Sequence, residues 1–145
     1  MVTPKFQNVK QSFHLELKKR VNEYFESTGK SYLGNGRLYS KAIILLTSFV
    51  FLYIHLVFFT PAAVWAILEC ILLGIVVAGI GFNIMHDGAH GSFSKYKWLN
   101  GAAAFTLNIL GGSSFMWNMK HNVIHHAFTN VDGVDDDIDI QPWMR

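Results

Sequence analysis

At 145 residues the chain has room for one small domain. Its 51% hydrophobic and only 15% charged residues, with a positive mean hydropathy, depart from soluble-domain composition toward that of a membrane protein. The formal charge of +2 conceals opposite ends: residues 1–41 carry eight Lys/Arg against three Glu, whereas residues 130–145 carry five Asp against one Arg. The single cysteine, Cys70, excludes an internal disulfide and a Cys-rich zinc module, so any metal chemistry falls to histidine. The first 30 residues lack an apolar run and are interrupted by Lys18, Lys19 and Arg20; they do not form a signal peptide, and the first hydrophobic stretch is retained.

Phe13, Leu17, Val21, Tyr24 and Phe25 recur at three- and four-residue steps with Lys10, Lys18, Lys19, Arg20 and Glu23 between them, which predicts an amphipathic helix. Two readings fit it: a solvent-facing helix packed on the body of the protein, or a helix lying in the headgroups of an anionic leaflet. Gly29 to Arg37, with Gly34, Asn35 and Gly36, reads as a turn-rich connector. Residues 1–40 are thus an N-terminal amphipathic segment, cytoplasmic or interfacial, ahead of a membrane body over residues 41–145.

Ala42 to Phe59 has no formal charge and is long enough to span a hydrocarbon core of about 30 Å. After Thr60-Pro61, the run from Ala62 to Met85 is long enough to cross with tilt or to project a turn beyond the membrane. The expected fold is therefore all-α, an integral membrane helical hairpin of two transmembrane helices. Both outer flanks are basic, with Lys30, Arg37 and Lys41 before and Lys95, Lys97 and Lys120 after, which places both outer ends in the cytoplasm. His55 and Glu69 interrupt the hairpin toward its other end. They lie at depths about 4 to 5 Å apart at helical rise, within reach of a pair; a proton or ion path is the functional alternative.

Leu99 to Trp117 is apolar but interrupted by Asn100, Gly101, Asn108, Gly111-Gly112 and Ser113-Ser114, and is expected to stay interfacial or re-entrant on the cytoplasmic side. This expectation leans on the two histidine groups sharing one site. The tail from Thr129, with Asp132, Asp135, Asp136, Asp137 and Asp139, misses the EF-hand pattern and reads as a solvated turn or a local cap above the histidines rather than as metal ligands.

Five of the seven histidines fall in two groups, His86-Asp87-Gly88-Ala89-His90 and His121-Asn122-Val123-Ile124-His125-His126. On an α-helix each i, i+4 pair projects from one face toward a shared ion, while His126 lies about 100° round from His125, so two ions are possible. Unpartnered imidazoles at the end of a membrane span would be costly, and neutral imidazole suits iron, zinc and copper. His14 and His55, each isolated, read as structural. A zinc hydrolase helix of the His-Glu-x-x-His type is not matched, because Asp87 stands beside the first histidine at another spacing.

The stretch from Met85 to Trp143, with His-Asp-Gly-Ala-His, Trp117, His-Asn-Val-Ile-His-His and then Phe-Thr-Asn-Val-Asp-Gly-Val-Asp-Asp-Asp, resembles the first two histidine boxes of the membrane fatty acid desaturases. The likeness is nearest to the acyl-lipid or linoleoyl-CoA type. The HxxxH and HxxHH boxes belong to the wider membrane di-iron superfamily, and the flanking residues narrow it to desaturases. The resemblance implies a di-iron centre that activates O2 and inserts a double bond into a fatty acyl chain carried as acyl-CoA or acyl-lipid. Its electrons would come from a ferredoxin or cytochrome b5 type donor; nucleic acid is not an expected partner.

By the same resemblance His86, His90, His121, His125 and His126 are iron ligands, on helices at the cytoplasmic side, and Asp87 orients His86 or His90. Imidazoles suit such a centre because Cys or Met would be oxidised there. The family also uses a third box, which the chain lacks, so it is expected to be the N-terminal portion of a longer enzyme and inactive alone. The rival expectations are another membrane di-iron oxygenase, such as a carotenoid ketolase or fatty acid hydroxylase, and a non-catalytic metal-binding membrane hairpin.

Overall fold

The computed structural model describes residues 13–138; Lys10, Asp139 and Trp143 lie outside them. The described residues are helical and contain no strand. Helix α1, Phe13–Thr28, has no buried residue, and its exposed Phe13, Leu17, Val21 and Tyr24 leave an apolar stripe open. Along its polar face Arg20 pairs with Glu16 at 2.8 Å. At its end Phe25 stacks on Tyr32, which folds the connector back over the helix terminus.

Helix α2, Gly36–Ile54, starts inside the segment read as a connector. Asn35 caps it, its side-chain oxygen accepting from the Arg37 and Leu38 amides at 3.0 and 3.2 Å, and such a cap supplies partners for the otherwise orphaned first-turn N–H groups. The helix runs on through a π-helical segment, His55–Phe59, and Thr60 turns the chain in the left-handed region. Helix α3, Ala63–Ile80, continues through a second π-helical segment, Gly81–Met85, into the short α4, His86–Ala89. Gly36–Phe59 and Ala63–Ala89 are thus 24 and 27 residues of membrane-spanning length and apolarity, about 36 and 40 Å at 1.5 Å per residue.

The hairpin packs through Ala42, Leu52, Val76, Ile80 and Ile84, and Gly79 admits Leu45 where a Cβ would meet it at 2.9 Å. Ile43, Phe51, Phe58, Trp65, Ile71 and Ile75 are exposed around this seam. That is the surface of a hairpin solvated by lipid, where apolar side chains need no protein cover. At the end nearest the first histidine group, Lys41 Nζ donates to Asn83 Oδ1 at 2.7 Å. At the other end His55 Nδ1 lies 2.8 Å from Glu69 Oε2, so the two polar interruptions do pair.

After α4 the chain turns at Gly91, and Asn100 clamps the loop by donating to the Gly91 and Ser94 carbonyls and accepting from the Ser94 amide. Helix α5, Lys97–Ile109, has 13 residues, about 20 Å, too short to cross a hydrocarbon core. It packs against α4 and the Gly81–Met85 segment, burying Ala103 and Thr106. After the break at Gly111-Gly112, Ser113 caps α6, Ser114–Trp117. A long π-helical segment, Asn118–His125, and α7, His126–Phe128, follow. The chain after α5 therefore stays at the end of the hairpin where the first histidine group lies, as the shared-site reading required.

Candidate metal centre

The two histidine groups meet. Ring centroids lie 4.5 Å apart for His86 and His90, 5.3 Å for His86 and His121, and 5.5 Å for His90 and His121. One nitrogen from each of these three rings lies within 4.8 Å of the others, a donor set that suits a single ion. His126 joins through His90 at 4.8 Å and His121 at 5.0 Å, and His125 through His121 at 4.9 Å.

The second group departs from the α-helical expectation. An i→i+5 hydrogen-bond pattern widens the turn, so residues four and five along both come over the starting position. His125 and His126 consequently stand almost equally close to His121, instead of His126 turning away. The π-helical stretch gathers three imidazoles where an α-helix would have gathered two.

Trp117 stacks on His121 at 4.4 Å and meets His86 and His90 edge-on at 5.7 and 5.8 Å, an apolar wall shared by three rings. Behind it a cavity of about 350 Å³ is lined by Gly88, Ala89, Gly101, Ala104, Phe115 and Trp117, among others. Gly88 is required for this arrangement, since a Cβ there would stand 2.6 Å from both the Ala103 Cβ and the Ala104 amide. Asn122 ties the groups together by donating to the Ala89 carbonyl at 3.2 Å, and its own Oδ1 is buried with no hydrogen-bond partner among the described residues.

The carboxylates within hydrogen-bond distance of the imidazoles come from the acidic turn and not from Asp87. Asp87 Oδ1 is 3.8 Å from His86 Nδ1, beyond hydrogen-bond reach; its backbone carbonyl instead anchors the loop, accepting from the Ser92 and Phe93 amides. The carboxylates within reach come from the acidic turn, where Asp137 Oδ2 lies 2.7 Å from His121 Nδ1 and Asp135 Oδ2 2.9 Å from His125 Nδ1. The turn is thus a cap above the histidines. The one sequence signal for these partners was the density of Asp after the second group.

Partial desolvation, then the neighbouring His86, His126 and His121, holds the His90 imidazole below its ordinary value. Desolvation and then His121, His125 and His86 do the same to His126. Both rings therefore favour the neutral form, which offers a lone pair to a metal. Burial would raise the Asp135 carboxyl, but the Asn130 amide, His125 and the Asp137 amide together hold it below its ordinary value.

The sequence matches the fatty acid desaturase family over residues 60–145. It is 42% identical over 127 residues to an sn-1 linoleoyl-lipid 6-desaturase of Arthrospira platensis, covering 87% of this chain and 34% of that protein. It is 32% identical over 131 residues to an acyl-lipid (8-3)-desaturase of Physcomitrium patens, covering 90% and 27%. With an sn-1 linoleoyl-lipid 6-desaturase of Synechocystis it shares 31% over 129 residues, covering 89% and 36%. The chain spans about a third of the length of these relatives. No solved structure matches. The matched residues hold both histidine groups and the acidic turn that meets the second, and on that match the chain belongs to the fatty acid desaturase family.

Proposed function

We propose that this chain contributes two histidine groups of an O2-dependent fatty acyl desaturase, with His86, His90, His121, His125 and His126 as ligands of a di-iron centre. The observation that carries this reading is the meeting of those five imidazoles at one end of a membrane-length hairpin in a chain of desaturase kinship. Iron, when bound there, supplies the redox chemistry by which O2 is activated. The balanced reaction removes two hydrogens from adjacent acyl carbons as a double bond forms, and reduces O2 to two waters with two electrons from an external donor of the ferredoxin or cytochrome b5 type and two protons from solvent. Five imidazoles fall short of the donors that two ions need, so further ligands are part of the proposal.

The chain's own residues have separable tasks. The imidazoles hold the metal, Trp117 packs against the His121, His86 and His90 rings, and Asn122 fixes one group against the other. The substrate chain is itself a membrane component, so a site at the end of a lipid-solvated hairpin receives it from the bilayer while facing a soluble electron donor. The named relatives favour an acyl-lipid over acyl-CoA as the carrier. Basic residues around the site end, Lys41, Lys95, Lys97 and Lys120, support a cytoplasmic site, with residues 1–40 as an interfacial segment and 41–145 as part of the desaturase domain.

The test is to express the complete coding sequence that carries this chain in a yeast host and read the fatty acid methyl esters by mass spectrometry. A new double bond is the expected product. Hydroxylated or ketolated products alone would assign the centre to another oxygenase reaction.

A further inference from the structure

The acidic turn is built around one carboxylate. Asn130 enters the left-handed region, as does Gly133, and the Val131 amide donates to Phe128 while the Val134 and Asp135 amides donate to Val131. This curls the chain back over the second histidine group. Asp135 is buried and accepts from the Asn130 amide at 2.9 Å and the Asp137 amide at 3.2 Å. Thr129 Oγ1 donates to the His125 backbone carbonyl at 2.6 Å, fastening the start of the turn to the helix end that carries this histidine. The same turn carries Asp137 to His121.

A carboxylate oxygen accepts and does not donate. The bond from each ring to its aspartate must therefore be an Nδ1–H donation, which leaves the lone pair of that ring on Nε2. His86 has no such partner, its Nδ1 being 3.8 Å from Asp87.

We infer that Asp137 and Asp135 are positioning residues that lock His121 and His125 with the proton on Nδ1, so that Nε2 is the atom each ring presents to metal before any metal arrives. The inference rests on the reading of both histidines as ligands. It distinguishes two pre-set rings, His121 and His125, from His86, His90 and His126, which meet the cluster through ring contacts.

Asp137→Ala is the direct test, because Asp135 also holds the turn and its loss would disturb the fold. In 15N-histidine-labelled, metal-free protein carrying this chain, His121 is expected to show protonated Nδ1 by NMR, and Asp137→Ala to lose that preference. Ferrous iron affinity, measured against a competing chelator, is expected to fall about 10- to 100-fold. Asp137→Asn, whose amide oxygen still accepts from Nδ1–H, is expected to recover much of both. An unchanged His121 tautomer or an unchanged iron affinity in Asp137→Ala overturns the inference. Wild-type protein that takes up no iron overturns the ligand reading itself, and the inference with it.

Discussion

The side-chain amide of Asn122 donates to the backbone carbonyl of Ala89 across 3.2 Å, joining positions 33 residues apart. Asn122 follows His121 directly and Ala89 precedes His90, so the bond sets the spacing of the two histidine groups. The second N–H of the same amide goes to Asn118 Oδ1 at 2.8 Å. Asn122→Leu removes both bonds at a similar volume. A modest stability loss of about 1 to 2 kcal/mol is expected, with a several-fold fall in iron retained on purification. Elemental analysis beside a thermal unfolding curve separates the two effects; full iron retention would assign the spacing to Trp117 packing instead.

Gly88 and Gly101 make opposite predictions. A Cβ at Gly88 would collide with Ala103 and Ala104, whereas one at Gly101 meets nothing within 4 Å. Overpacking by Gly88→Ala is expected to cost about 1 to 3 kcal/mol and to push α5 away from the first histidine group. Gly101→Ala, inside α5, should be neutral or stabilise by up to about 1 kcal/mol through helix propensity. Thermal unfolding in detergent reads both, and equal midpoints for the two variants would contradict the tight α4–α5 contact.

What the sequence disclosed follows from periodicity and length. The amphipathic helix and the two spans follow from apolar spacing and from the distance a helix covers, whereas the reading of Leu99 to Trp117 as no third span leans on the two histidine groups sharing one site. The histidines were visible as a candidate metal site because few other roles suit so many at a membrane end. Three features were not legible. The start of α2 was hidden by Gly34 and Gly36, although Asn35 between them is the cap that begins it. The π-helical path of residues 118–125 was not legible because the i, i+4 histidine spacing reads equally well as an α-helix. Asp135 and Asp137 reach their histidines through a turn with two left-handed residues, a path that the run of Asp in the sequence does not show, whereas Asp87 stands 3.8 Å from His86.

His90→Ala and His125→Ala test the ligand set at its two groups. Each is expected to abolish desaturation by the complete protein and to lower bound iron, while the hairpin still folds because neither side chain belongs to its seam. His125→Ala leaves Asp135 two backbone N–H partners, so the turn should survive. Fatty acid analysis with iron quantification checks this, and retained activity in either variant would remove that residue from the ligand set.

His55 and Glu69 lie at the far end of the hairpin, bonded at 2.8 Å, with Phe51 and Phe59 stacked along the His55 ring. A hydrogen bond between membrane helices contributes about 0.6 kcal/mol on average and up to about 1.7, and a polar group left without its partner in apolar surroundings adds a further cost. Glu69→Leu and His55→Leu alone are therefore expected to destabilise the hairpin, and the double variant to recover part of the loss, because it strands neither group. Desaturation should persist in all three as long as the protein is folded, since the pair is remote from the histidine cluster. Thermal unfolding of the four proteins closes the mutant cycle. Stable single variants that have lost activity would reverse this assignment, turning the pair from a fastener of the hairpin into part of a proton path.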